Sequence, residues 1–207
     1  MVIIGAKGFA KEVLEIYFQI GYDRPIYFYD DISNDLPELL FNEFKIFRTL
    51  EEVKSVFESV DDGFSIGIGN PKMRHVLGSK FKEIGGKLTN VVSPYARIGH
   101  FGNKIDDGVI IMTGTVITND VTIGEGALIN LNCTIGHDSF IGKYSELSPG
   151  VHVSGHCKIG DFCSIGTGAV ILPGVKLGEN VTVGAGAVVT KDTGSNTVVV
   201  GVPAKAI

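Results

Sequence analysis

The 207 residues suffice for one large domain or two modest ones, and 44% hydrophobic residues provide enough core material to exclude a disordered chain. The net charge of -5 arises from 23 acidic and 18 basic residues without long runs of either sign. This distribution excludes a nucleic-acid or membrane-surface footprint and favours small-molecule ligands. No apolar run is long enough for a signal-peptide core or a membrane span, so we expect a cytoplasmic protein.

The first 92 residues alternate apolar β-like runs with helical stretches, as is typical of a small α/β domain around a parallel sheet. We predict a strand at 2–4, a turn from Gly5 to Gly8, and a helix whose apolar stripe ends before Gly21. The remaining predicted elements are a strand at 26–29, a helix at 49–59, a strand at 64–68, a helix that begins at Pro71, and a strand at 88–92.

From residue 93 onward glycine is frequent and a period of six replaces the helical pattern. We predict a parallel β-helix over 93–207, with three six-residue faces per coil, so that each residue lies beneath the one 18 positions later. The spacing does not fix the handedness, and general crossover chirality favours a right-handed coil. The aliphatic residue of the repeat is Ile105, Ile111, Ile117, Ile123, Ile129, Ile135, Ile141, Leu147, Val153, Ile159, Ile165, Ile171, Leu177, Val183 and Val189.

The three cysteines, Cys133, Cys157 and Cys163, all fall four positions after an aliphatic residue of the repeat, where small side chains recur. They form no CxxC pair and no spacing typical of zinc sites, so we expect neither a disulfide framework nor a metal site. We interpret them as inert core residues.

The pair His137 and Asp138 follows a repeat glycine and is polar where the repeat makes no demand on the side chain. An imidazole beside a carboxylate can act as a general base, although a solvated coil exterior would look similar. The 18-residue rule places Gly155 above His137 and His156 above Asp138. His152 and His156 remain candidates for binding.

The turn from Gly5 to Gly8 could cradle a phosphate with backbone N–H groups at a helix N-terminus. Asp30 and Asp31, at the end of the next strand, could accept hydrogen bonds from a base or a ribose. The signal is weak by itself, because the full GxGxxG motif is absent. The candidates for substrate binding here are Lys7, Gly8, Asp30 and Asp31.

Together these motifs resemble the sialic acid O-acetyltransferase family of hexapeptide-repeat acyltransferases. The resemblance covers nearly the whole chain and also includes Gly69-Asn70, the segment 132–138 and the terminal segment 201–205. Within the family, the chain is most similar to N-acetyltransferases of nucleotide-linked 4-amino-4,6-dideoxy sugars, including the bacillosamine-pathway enzyme. The resemblance implies a left-handed β-helix, a homotrimer, acetyl-CoA as co-substrate, no metal, and a nucleotide sugar bound by the first domain, with Gly69 among its contacts.

For catalysis, the resemblance implies direct acetyl transfer to the sugar amine. His137 would be the general base and Asp138 its helper, while the Gly155 N–H would lie at the acetyl group. Two further positions that contact the cofactor in the family correspond to Thr167 and Ala185.

Glu146 marks a departure, because bacillosamine-type members carry a histidine that contacts the acetyl group at this position. A carboxylate cannot donate a hydrogen bond unless it is protonated, so Glu146 could instead meet the substrate amine.

Two alternatives to this reading stay open. An O-acetyltransferase acting on a sugar hydroxyl, such as that of a sialic acid, would use the same base. A non-catalytic β-helix scaffold with a nucleotide-sensing domain would need no base at all. The sequence leaves the nucleotide base and the sugar stereochemistry undetermined.

Overall fold

The computed structural model describes residues 1–207, which form two compact units. One unit contains Met1–Gly69 and Met73–Val91, and the other contains Asn70–Lys72 and Val92–Ile207. None of the three helices combines the length and the apolar character needed to cross a membrane.

The first unit is a six-stranded sheet with three helices, a Rossmann-like arrangement. The sheet order is β3-β4-β2-β1-β5-β6, and all pairs are parallel except β3 with β4. Its elements are β1 (Val2–Ile4), α1 (Gly8–Gln19), β2 (Tyr27–Tyr29), β3 (Leu39–Leu40), β4 (Phe44–Phe47), α2 (Leu50–Ser59), β5 (Gly63–Ile66), α3 (Pro71–Glu83) and β6 (Lys87–Leu88).

Local sequence signals explain the helix α2 and the central strands. Thr49 and Glu52 form a capping box in which each side chain accepts a hydrogen bond from the other residue's backbone N–H, which fixes the start of α2. Strands β1 and β5 are almost continuously buried, as expected for a parallel sheet covered on both faces.

Two features of this unit differ from the prediction. The antiparallel pair of β3 and β4 was not anticipated, and its turn contains Phe41 and Asn42 with positive φ values of 53° and 58°. The strand predicted at 88–92 is interrupted, because Lys87–Leu88 pairs with β5 whereas Val91–Val92 belongs to a separate eight-stranded sheet.

The second unit is a three-sided parallel β-helix built almost entirely from two-residue strands. The first face contains β7 (Val91–Val92), β10 (Ile110–Ile111), β13 (Leu128–Ile129), β16 (Glu146–Leu147), β19 (Ser164–Ile165), β22 (Thr182–Val183), β24 (Val198–Val200) and β25 (Lys205–Ala206). The second face contains β8 (Arg97–Ile98), β11 (Val116–Ile117), β14 (Thr134–Ile135), β17 (His152–Val153), β20 (Val170–Ile171) and β23 (Val188–Val189). The third face contains β9 (Lys104–Ile105), β12 (Thr122–Ile123), β15 (Phe140–Ile141), β18 (Lys158–Ile159) and β21 (Lys176–Leu177).

The six-residue period and the 18-residue stacking rule are both confirmed. Val116 pairs with Thr134, and Thr134 pairs with His152, each 18 residues apart. The repeat aliphatics from Ile111 to Val189 are buried in one continuous core together with the small residues four positions later. This core is what makes the coil a rigid support for its corner residues.

The regular coil ends after β23. Thr182 pairs with Val198 at a spacing of 16 rather than 18, and β25 then pairs antiparallel with β24. The antiparallel strand covers an edge that would otherwise leave unpaired backbone groups.

Candidate active site

The His137–Asp138 pair lies at the corner between the second and third faces of the β-helix. The His137 Nδ1 atom is 2.7 Å from the Asp138 Oδ2 atom. Because a carboxylate only accepts hydrogen bonds, Nδ1 carries the proton and the Nε2 lone pair is left free. Both side chains are exposed, so this lone pair can reach a bound ligand.

Gly155 lies directly above His137, as the stacking rule predicts. A Cβ atom at Gly155 would be 2.7 Å from His137 Nε2, so the free nitrogen of the ring faces this glycine. The Gly155 carbonyl accepts a hydrogen bond from Gly174, but the Gly155 N–H donates to no group in the chain. The residue that faces the free imidazole nitrogen therefore also carries an unbonded backbone N–H, and acyl transfer uses such a base together with an oxyanion donor.

A third ionisable side chain, His156, faces the same carboxylate. Its Nδ1 atom is 3.7 Å from Asp138 Oδ2, and its ring is perpendicular to the His137 ring with centroids 4.9 Å apart. One ring nitrogen of each histidine and one carboxylate oxygen of Asp138, atoms that could bind a metal ion, lie within 4.8 Å of one another. Because His137 Nδ1 and Asp138 Oδ2 already form a hydrogen bond with each other, we interpret the three residues as an acid–base cluster and not as a metal site.

The three positions expected to contact the cofactor lie elsewhere on the coil. Glu146 is half-buried in β16 on the first face, and Thr167 and Ala185 are exposed at the corner between the first and second faces. Ala185 lies one coil above Thr167, as predicted. One face of about six residues, roughly 15–20 Å, separates this corner from the His137 corner, so one chain does not bring the two sets together.

In the first unit, a cavity of about 270 Å³ opens at the carboxyl ends of β1, β2 and β5. This is the position where α/β sheets bind ligands, because the strand order reverses at β1: β2 lies on one side of it and β5 on the other. Gly67 allows the close packing, since a Cβ atom there would be 2.5 Å from the Ala10 Cβ. Gly67 was not predicted as a site residue, although its place just after a buried strand was the available signal.

Lys7, Asp30 and Asp31 line this cavity, and each already has partners. Lys7 forms an ion pair with Asp35. The Asp30 carboxylate accepts hydrogen bonds from the Ser33 N–H and hydroxyl and from the Ile32 N–H, so it shapes the loop that borders the cavity.

Asp31 keeps the more open carboxylate of the two. It accepts a hydrogen bond of 2.7 Å from the Tyr29 hydroxyl and lies 3.7 Å from Lys80 Nζ. Burial, together with this hydrogen bond, raises the pKa of Tyr29 well above its ordinary value, so its hydroxyl stays a donor at neutral pH.

The remaining two substrate-binding candidates differ in their surroundings. Gly8 is the first residue of α1, and nothing lies within 4 Å of the position its Cβ would occupy. The Gly69 carbonyl accepts a hydrogen bond from the fully buried Arg74 guanidinium, a contact that the sequence did not predict.

The cysteines are confirmed as core residues. All three are buried and unpaired. Burial raises the pKa of the Cys133 thiol to about 11, and it also raises the pKa values of Cys157 and Cys163. At neutral pH they are therefore thiols of low nucleophilicity.

Both halves of the chain are similar to known protein families. Residues 1–81 match the family model of the PglD N-terminal domain, and residues 156–191 match the bacterial transferase hexapeptide model. PerB from Caulobacter crescentus, solved with CoA and GDP-perosamine, is 30% identical; the match covers 100% of this chain and 96% of PerB, with a TM-score of 0.87. The chain belongs to the hexapeptide-repeat N-acetyltransferases of nucleotide-linked amino sugars.

Two further solved proteins have similar structures. The acetyltransferase domain of PglB from Neisseria gonorrhoeae and WeeI from Acinetobacter baumannii are each 29% identical, with TM-scores of 0.89, and each match covers 100% of this chain and 98% of the other. The PglB domain has also been solved with acetyl coenzyme A. No curated protein sequence matches the chain. Membership of the family confirms the Rossmann-like unit followed by a left-handed β-helix, and the handedness expected from crossover chirality alone is wrong.

Proposed function

We propose that this protein transfers the acetyl group of acetyl-CoA to the amino group of a nucleotide-linked amino-deoxy sugar, at its 4-amino position. The observation that carries the proposal is the unbonded Gly155 N–H next to the free Nε2 of His137. The solved relatives support it, since PerB was crystallised with CoA and GDP-perosamine and the PglB domain with acetyl coenzyme A.

In the proposed reaction, the sugar amine attacks the thioester carbonyl while His137 Nε2 removes a proton from the amine. The Gly155 N–H donates to the oxyanion of the tetrahedral intermediate, which collapses to the amide and expels the CoA thiolate. The thiolate then takes the proton from His137, so the base is regenerated without an acyl-enzyme. Asp138 holds the Nδ1–H of His137 and stabilises the imidazolium that forms transiently.

The first unit is proposed to bind the nucleotide of the substrate. Its cavity lies at the carboxyl ends of the central strands, and the N-terminus of α1 at Gly8 offers unpaired N–H groups and a positive dipole end for a diphosphate. Asp31 is better placed than Asp30 to accept a hydrogen bond from the ribose or the base, because the Asp30 oxygens already accept hydrogen bonds from the adjacent loop. Acetyl-CoA and nucleotide sugars are both cytoplasmic metabolites, which supports the cytoplasm as the place of reaction.

Acceptor specificity tests this function. CoA release should be measured with a panel of UDP-, dTDP- and GDP-linked 4-amino sugars, the matching 4-hydroxy sugars, and a free sialic acid. The proposal expects turnover only with nucleotide-linked amines. Turnover with sialic acid and none with the amino sugars would replace it with O-acetylation.

We also propose a homotrimer whose active site is shared between neighbouring copies. The base lies at one corner of the coil, whereas Thr167 and Ala185 lie at another corner of the same chain. A second copy that brings its Thr167 corner against the first copy's His137 corner would complete the site, and closed threefold symmetry would repeat it.

Subunit mixing tests the shared site. His137→Ala and Ala185→Trp should each be inactive alone, the second because the indole fills the cofactor's path. Co-refolded in equal amounts, the two variants should recover about a quarter of the parent activity, since one interface in four combines two intact corners. Persistent inactivity of a mixed trimer, or an active monomer by light scattering, would contradict the shared site.

A further inference from the structure

His156 has no part in the reaction described so far, yet its imidazole is aimed at the catalytic carboxylate. Its Nδ1 atom lies 3.7 Å from the same Asp138 Oδ2 atom that accepts the His137 hydrogen bond. We propose that His156 is a positioning residue for acetyl transfer, which holds the Asp138 carboxylate against His137. The inference rests on the proposed function, because it concerns the orientation of that function's base.

The backbone fixes His156 in this position. His156 and Asp138 occupy equivalent corner positions one coil apart, with φ values of 58° and 57°. The His156 N–H also donates to the His137 carbonyl over 2.8 Å. The three side chains are therefore carried by two consecutive corners of a rigid coil.

The Asp138 side chain is about half exposed, so the coil itself does not hold its carboxylate in place. One hydrogen bond to His137 leaves the carboxylate free to rotate toward water. Attraction to a second imidazole, strongest when His156 is protonated, keeps Oδ2 between the two rings.

Few other charges face His156. The corner directly above it, Leu172-Pro173-Gly174, has no ionisable side chain, and Lys158 in β18 extends over the Phe140 ring. Asp120 lies one coil below Asp138 on the same corner. Asp138 and His137 are thus the nearest ionisable neighbours.

A double-mutant cycle separates positioning through Asp138 from other roles. The four proteins are the parent, His156→Asn, Asp138→Asn and the double variant; asparagine is chosen because it tolerates the left-handed conformation. We expect His156→Asn to lower kcat roughly 3- to 10-fold in the parent and less than about 2-fold in the Asp138→Asn background. The KM values for both substrates should be nearly unchanged.

The matched control is Asp120→Asn, which removes a carboxylate from the same corner one coil lower and keeps a residue suited to positive φ. It should leave kcat unchanged. Equal losses from His156→Asn in both backgrounds, or no loss in either, would overturn the proposal. Inactivity of the parent on every nucleotide amino sugar would instead overturn the proposed function.

Discussion

Replacing Gly155 by alanine tests whether the space above His137 is needed for catalysis. The new Cβ atom would be 2.7 Å from His137 Nε2 and 2.8 Å from Cε1. Ordinary contact begins at roughly 3.5 Å, so the ring must retreat by about 0.8 Å. A displacement near 1 Å in a catalytic group costs on the order of 10²-fold in rate, about 2.7 kcal/mol, so we expect kcat to fall by about that factor.

Folding should survive this change, because the nearest obstacles are all atoms of one exposed ring and Gly155 has no left-handed φ. The alanine also keeps the N–H, so the loss would report the position of the base. Gly194→Ala, where nothing lies within 4 Å, is the matched control and should be fully active. Gly136→Ala should instead destabilise the fold by about 1–3 kcal/mol, because its Cβ would meet the Gly155 backbone at 2.5 Å. Initial rates at saturating substrates and thermal melts measure both effects, and a Gly155→Ala enzyme with more than half the parent kcat would refute the reasoning.

Three more predictions concern the base, the nucleotide site and the cysteines. His137→Ala should lower kcat by about 10²- to 10⁴-fold while the fold persists, and Asp138→Asn should lower kcat by less. Single-turnover rates distinguish the two variants, and more than about a tenth of the parent rate in His137→Ala would exclude general-base catalysis. Gly8→Leu has open space around its Cβ and should raise the acceptor KM without changing that for acetyl-CoA, whereas equal effects on both constants would argue against a separate nucleotide site. The buried cysteines should resist iodoacetamide at pH 8, because burial raises the pKa of each thiol, to about 11 for Cys133, and so keeps the thiols protonated. Rapid labelling of the folded protein, detected by mass spectrometry, would show that the thiols are accessible.

The β-helix could be predicted from sequence because its period dictates burial residue by residue. Every sixth position from Ile111 to Val189 must be aliphatic to fill the coil, and the same arithmetic places Gly155 over His137. The site's chemistry was only partly visible. Whether the Gly155 N–H is bonded depends on the backbone path of adjacent corners, and no residue type encodes that.

The first unit was less predictable because its unexpected features depend on tertiary contacts. The turn between β3 and β4 places Phe41 and Asn42 at positive φ without a glycine to signal it. The contact of Arg74 with the Gly69 carbonyl arises from a buried charge inside a helix that looks ordinary in sequence. The two strands that replace a single one at 88–92 belong to different sheets, a division that hydrophobicity alone does not reveal.

The proposed reaction at the His137 site forms an amide on a nucleotide-linked sugar. The most direct measurement is the product of a reaction with acetyl-CoA and a nucleotide-linked 4-amino sugar, followed by mild hydroxylamine treatment and mass spectrometry. We expect a nucleotide sugar that gains one acetyl group, keeps it through hydroxylamine treatment, and is not formed by His137→Ala. An acetyl group removed by hydroxylamine, which indicates an ester, or an undiminished yield with His137→Ala would rule out the proposed reaction.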